Sequence, residues 1–140
     1  MNIISLILDK EFLLLLIEKL REKYSTTEEL IPQYSEREIE ELLKCIERIY
    51  SSGYYDSFEE RISGILFNIT RGHYLNNGNK RVATMFTLIA FNIEIDVDAG
   101  LKAKYKKMDV NIIKDLALKI AEGSMDKEET LRQITLHLTK

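Results

Sequence analysis

The stretch with the most chemical potential runs from Arg71 through Gly72, His73, Tyr74, Leu75, Asn76, Asn77, Gly78, Asn79 and Lys80 to Arg81. An apolar helical pattern begins directly after it, at Val82. The first amides of a helix have no acceptor inside it, and aligned peptide dipoles make that end partly positive. Cations belong at the other end. Lys80 and Arg81 nevertheless fall in the expected first turn, at a cost of roughly a few tenths of a kcal/mol each. Beside a phosphate the same placement becomes favourable, because amides, an ammonium and a bidentate guanidinium converge on one anion. Gly78 would let the backbone approach that ligand closely. Asn76 or Asn77 offers a side-chain oxygen to cap the helix. His73, just upstream, has the chemistry to take a proton from an attacking hydroxyl.

Each feature also has an ordinary reading. Asn-Asn-Gly-Asn before Lys-Arg is a common kind of turn with two solvated cations, and a lone histidine is more often structural than catalytic. The apolar helix behind the turn shifts the balance. A buried helix is expected to have a buried start, and buried cations need counter-charge. Competing motifs are missing. The phosphate loop G-x-x-x-x-G-K-[ST] fails because five residues separate Gly72 from Gly78 and Asn79 intervenes before Lys80. No G-x-S-x-G is present. Two histidines and one cysteine are too few for a His/Cys zinc site. Cys45 reads as a core residue and His137 as a surface one.

The elements that must position this stretch are helices. Phe12, Leu13, Leu16, Ile17, Leu20 and Tyr24 recur at helical spacing over about 9–24. Ser35 with Glu38, and Ser57 with Glu60, form capping-box patterns. They open helices striped by Ile39, Leu42, Leu43, Ile46 and Ile49, and by Phe58, Ile62, Ile65, Leu66 and Ile69. From Val82 to Ile93 the chain is apolar nearly all round, which marks a helix buried by others at the centre of a bundle. A further apolar helix spans about 109–122 and should pack against it, with Gly123 as its C-cap. A last helix starts at Ser124 or Asp126 and runs to about Leu138. A short helix near 99–107 is allowed. Loops are expected at Thr26–Tyr34, which holds Pro32 and allows a short flap or hairpin, and at Asn92–Gly100. The expectation is an all-α bundle of six or seven helices around a buried central helix.

The bulk properties agree. A chain of 140 residues suits one domain, 1–140. It is 45% hydrophobic and 31% charged, with one proline, which is globular and helix-leaning. A net charge of −3 argues against direct nucleic-acid binding, so a site for a phosphorylated ligand must be local. The single cysteine excludes an internal disulfide and fits a reducing compartment. The apolar N-terminal stretch is broken by Asp9, Lys10 and Glu11, so neither a membrane span nor a cleaved leader is expected. The protein reads as soluble and cytoplasmic. Lys102, Lys104, Lys106 and Lys107 read as a solvated face able to attract an acidic partner.

The segment His73–Arg81, H-Y-L-N-N-G-N-K-R, resembles the Fic/Doc motif H-x-F-x-[D/E]-[A/G]-N-[G/K]-R. The resemblance extends to Tyr54–Glu59, which is similar to the segment opening the preceding helix in Doc-like proteins, and to Ala121-Glu122-Gly123 before the last helix. It covers about 35–138 and implies the Fic/Doc helical fold. It also implies roles. His73 would be the general base on a target hydroxyl. Gly78, Asn79, Lys80 and Arg81 would hold the phosphates of ATP. Asn77, at the motif's acidic position, would hold Mg²⁺. Lys80 stands where adenylyl-transferring Fic enzymes have glycine, and Thr84 where they have a second arginine, so the resemblance is to the Doc-like branch. Proteins of that branch are toxins of toxin–antitoxin pairs that transfer a phosphoryl group from ATP to a hydroxyl of a translation factor, elongation factor Tu.

Two positions depart from the motif. Leu75 replaces phenylalanine, a modest core exchange. Asn77 replaces Asp or Glu, and a neutral amide is a weaker Mg²⁺ ligand. Asn77 is thus compatible with a weak or altered phosphotransferase, with a nucleotide-binding module that does not turn over, or with a substitution that blunts a toxic enzyme. Nucleotidyl (AMP) transfer is the alternative chemistry. The inhibitory pattern of Fic proteins, [S/T]-x-x-x-E-[G/N], is begun at Ser25–Glu29 and Ser124–Glu128, but Leu30 and Glu129 leave both incomplete. Control is therefore expected from a separate antitoxin covering the site near the Thr26–Tyr34 flap.

Overall fold

Helix starts in this chain are set by side chains that accept from otherwise orphaned amides. The computed structural model describes residues 9–23, 34–72, 74 and 78–140. Helix α1 spans Lys10–Lys23, and Asp9 just before it accepts from the Glu11 amide at 3.0 Å. Helix α2, Glu36–Ser51, opens on the capping box expected from sequence. Ser35 Oγ accepts from the Glu38 amide at 3.2 Å, and Glu38 Oε1 accepts from the Ser35 amide at 2.9 Å. Helix α3, Phe58–Gly72, opens on half of one. Ser57 Oγ accepts from the Glu60 amide at 3.1 Å but donates to the Glu60 carboxylate at 3.0 Å.

Helix α4 spans Asn79–Val97, α5 Ala99–Lys104, α6 Val110–Ala121 and α7 Lys127–Leu138. Asp98, Asp109 and Asp126 cap α5, α6 and α7 through their carboxylates. Gly123 follows α6 at φ +79°, the left-handed conformation expected of a C-terminal glycine. The class is all-α, with seven helices and no strand among the described residues. An antiparallel bridge joins Tyr105 to Thr139, with Lys106 N donating to Leu138 O at 2.8 Å and Lys140 N to Lys104 O at 3.1 Å. No helix among the described residues is long and apolar enough to cross a membrane. Residues 26–33, where the flap was expected, and Tyr24 lie outside the described residues.

Two expectations need correction. The Asn92–Gly100 loop is mostly helix, because α4 continues to Val97 and α5 follows at Ala99. The polar residues there are accounted for individually: Asn92 and Asp96 are exposed, Glu94 is buried in an ion pair, and Asp98 caps α5. The helix with most neighbours is α3, which packs on α2, α4, α6 and α7. Ser63 and Gly64 on α3 are buried, and small side chains let other elements come close. Helix α4 lies against α3 and also contacts α5 and α6. It buries Val82, Ala83, Phe86, Ala90 and Phe91, while Met85, Leu88, Ile89, Ile93 and Ile95 stay half-exposed.

Helices α3 and α4 form the frame that carries the motif. Arg61, near the start of α3, grips Glu94, near the end of α4. Arg61 Nη2 and Nε donate to Glu94 Oε1 at 2.7 and 3.1 Å, and Nη1 donates to the Asp56 carbonyl at 2.9 Å. The pair shows that the helices run antiparallel. Phe58 and Phe91 pack beside it, ring centroids 5.4 Å apart, and Tyr105 lies on Phe58 at 4.8 Å. The Tyr50 hydroxyl is buried next to this pair, within reach of Glu94. Burial, reinforced by the Glu94 charge, pushes its ionisation well above the usual tyrosine range.

Candidate functional site

The motif segment leaves α3 at Gly72 and enters α4 at Asn79. His73, Leu75, Asn76 and Asn77 lie outside the described residues, so the expected base and the expected metal position have no geometry here. Tyr74 and Gly78–Arg81 do. The N-cap of α4 is Gly78, at φ +79° and ψ +13°. That left-handed conformation suits glycine and is unusual for an N-cap, which is normally extended. Asn76 and Asn77, expected as caps, lie outside the described residues. The first bond within the helix runs from Val82 N to Gly78 O at 3.0 Å.

Asn79, Lys80 and Arg81 form the first turn, which holds no acidic residue. Its burial differs from expectation. Lys80 is exposed, and Gly78, Asn79 and Arg81 are half-buried. The helix is buried further along, while Lys80 in its first turn is solvated. The Lys80 carbonyl accepts from Thr84 Oγ1 at 2.8 Å, and Thr84 is itself buried.

One group outside the motif lies within electrostatic reach of this turn. Tyr34, just before α2, is half-buried and within electrostatic reach of Arg81, Glu38 and Arg21. Burial first, and the Glu38 charge second, push its hydroxyl up to about 12, while Arg81 and Arg21 act the other way. Arg71, at the end of α3, reaches the Ile120 carbonyl at 3.5 Å, a long contact that sets a cation at the negative end of α6. Tyr74 is held by α2, where Arg48 Nη2 donates to its hydroxyl at 3.0 Å. Burial foremost, then the neighbouring Cys45, raise the Tyr74 hydroxyl to about 12. Arg48 and Tyr74 are 26 residues apart, and nothing in local sequence spacing announces their contact. A second such group is Tyr55, whose hydroxyl accepts from Asn68 Nδ2 and Lys127 Nζ, both at 3.0 Å.

Among the described residues no group of three or more His, Cys, Asp or Glu side chains could hold a metal ion. The first turn of α4 offers amides, one neutral carboxamide and two cations. That set suits an anion and does not suit Mg²⁺, which prefers carboxylate oxygen. Cys45 is buried, as expected of a core residue, and burial raises its thiol above the ordinary range. His137 is half-buried. Lys102, Lys106 and Lys107 are exposed, and Lys104 pairs with Glu59 at 3.2 Å.

Comparison of the chain with protein families, with curated proteins and with solved structures returned no match.

Proposed function

We propose that this chain is a Doc-like member of the Fic/Doc family, transferring the γ-phosphoryl group of ATP to a Ser or Thr hydroxyl of a protein. The observation that carries the reading is the join between motif and helix. His73–Arg81 resembles the family motif, and its last three residues form the first turn of α4, behind a left-handed Gly78. In this reading the amides of that turn, with Lys80 and Arg81, bind and orient the phosphates. Neutral His73 takes the proton of the target hydroxyl. The hydroxyl oxygen bonds to the γ-phosphorus, the bond to the β–γ bridging oxygen breaks, and ADP leaves with that electron pair. Mg²⁺, which Asn77 would hold at the motif's position for it, would supply charge neutralisation. The described residues add no carboxylate to this turn.

Thr84 favours phosphoryl over nucleotidyl transfer. The position is buried and its hydroxyl is engaged by the Lys80 carbonyl, so no second cation extends from it toward an α-phosphate. The target is a translation factor such as elongation factor Tu, and control comes from an antitoxin protein, both on the resemblance alone. A cytoplasmic location follows from the same reading.

The test is transfer of label from γ-³²P-ATP to bacterial lysate proteins. Label is expected from the wild-type chain, more from Asn77→Asp, and none from His73→Ala. Label arriving only from α-³²P-ATP would replace phosphoryl by AMP transfer. Asn77 itself favours a second reading, a nucleotide-binding module without turnover. ATP binding by calorimetry with no transfer, even by Asn77→Asp, selects that one. ATP affinity unchanged after Lys80 and Arg81 are both replaced by alanine would remove the nucleotide site altogether.

A further inference from the structure

Tyr74 follows His73 directly in the chain, and three contacts hold it. Its hydroxyl accepts from Arg48 Nη2 at 3.0 Å. The Cys45 thiol, one turn earlier on α2, lies beside the same hydroxyl. Its ring sits over the backbone of Gly72, where a Cβ would overlap the ring carbons. The ring is half-buried and packed against the core. The residues on both sides of His73 therefore touch each other, and one of them is tied to α2. Any residue other than glycine at 72 would push the Tyr74 ring away.

We infer that Arg48 is a positioning residue for the motif: through the Tyr74 hydroxyl it holds the chain beside His73 against α2. The role rests on the reading of His73 as the general base. Arg48 is exposed and α2 lies outside the motif, so the contact with Tyr74 is its described link to the site. A base must sit within hydrogen-bond reach of the proton it takes, and small displacements are costly. Misplacement by about 1 Å can cost about 100-fold in rate. The contact is a single hydrogen bond, so its loss should cost little stability and much placement. Nucleotide is bound elsewhere in this scheme, at the start of α4. Loosening Tyr74 should therefore slow turnover and leave ATP binding alone.

The experiment has two arms, both on the full chain. The first needs no activity. Arg48→Met, Tyr74→Phe and the double variant are unfolded in urea. The two changes are expected to be non-additive, with a coupling of about 2- to 10-fold in the unfolding constant. The imidazole signal of His73, assigned with His137→Gln, is expected to change in shape or midpoint in Arg48→Met and not in Lys44→Met on the same helix. Additivity together with an unmoved His73 signal overturns the clamp. The second arm measures transfer from γ-³²P-ATP. Arg48→Met and Tyr74→Phe are expected to lower kcat about 10-fold or more, with KM for ATP within about 2-fold and partial recovery in Arg48→Lys. A raised KM with kcat unchanged overturns the positioning role. If the wild-type chain transfers no label, the phosphotransferase reading fails and the first arm still decides whether the clamp exists. If transfer is seen without coupling, the clamp fails and that reading stands.

Discussion

The ion pair between Arg61 and Glu94 lends itself to a quantitative test. Glu94 is 7% exposed, and its side chain meets Arg61 at 2.7 Å. Replacing Arg61 by methionine keeps the aliphatic stem and removes the guanidinium. The Glu94 carboxylate is then left buried without its cation, with the neutral Tyr50 hydroxyl beside it. Removing one member of a buried pair costs about 3–5 kcal/mol. The lost bond to the Asp56 carbonyl adds on the order of 1 kcal/mol at most, because that contact is exposed. The expected loss for Arg61→Met is about 3–6 kcal/mol. For a chain of this size it corresponds to a fall in Tm of roughly 10–20 °C. The compensated variant Arg61→Met with Glu94→Leu removes both charges and fills the space. It should return to within about 2 kcal/mol of the wild type or exceed it. Urea unfolding followed by circular dichroism at pH 7 gives all four corners of the cycle. A loss under about 1 kcal/mol for Arg61→Met would refute the argument. So would a double variant as unstable as the sum of the singles.

Gly78→Ala should destabilise by about 1–2 kcal/mol, because a Cβ is disfavoured at φ +79°. Gly78→Asn should cost less, and equal unfolding midpoints for both variants would show that the left-handed conformation imposes nothing. The Glu129 carboxyl is lowered to about 2, chiefly by its hydrogen bonds to Arg132 and also by Gln133. Its folded-state value is depressed, so its contribution is complete above the ordinary carboxyl range and is lost as pH falls from there toward 2. A side-chain NMR titration should place its midpoint near 2, and Arg132→Gln should bring the midpoint back toward the ordinary range.

Local grammar is what the sequence states most clearly. The Ser35/Glu38 box, the aspartate start of α7, the glycine after α6 and the apolar stripes of α2 and α3 all depend on residues within a turn or two of each other, and each is found where spacing puts it. Contacts made across the chain are not stated that way. Glu94 looked like part of a loop because a carboxylate in an apolar run suggests solvent, and its partner Arg61 lies 33 residues earlier. The uniform hydropathy of Val82–Ile93 suggested the centre of the bundle. Among the described residues α3 packs on four other helices, and its small or polar Ser63, Gly64 and Thr70 are buried, with the Tyr55 ring lying over Gly64. At the candidate site, Lys80 and Arg81 were correctly assigned to a first turn. The exposure of Lys80 was not legible, since whether a helix start is covered depends on segments distant in sequence. Arg48 and Tyr34 were missed for the same reason.

The bridge between Tyr105 and Thr139 has a mechanical consequence. Its two backbone bonds, from Lys106 to Leu138 and from Lys140 to Lys104, straddle residues whose neighbour Tyr105 is stacked on Phe58. A pull applied at Lys140 is therefore passed into the aromatic cluster between α3 and α4 before α7 can unwind turn by turn. Any polypeptide joined beyond that residue would tug on the interior of the fold.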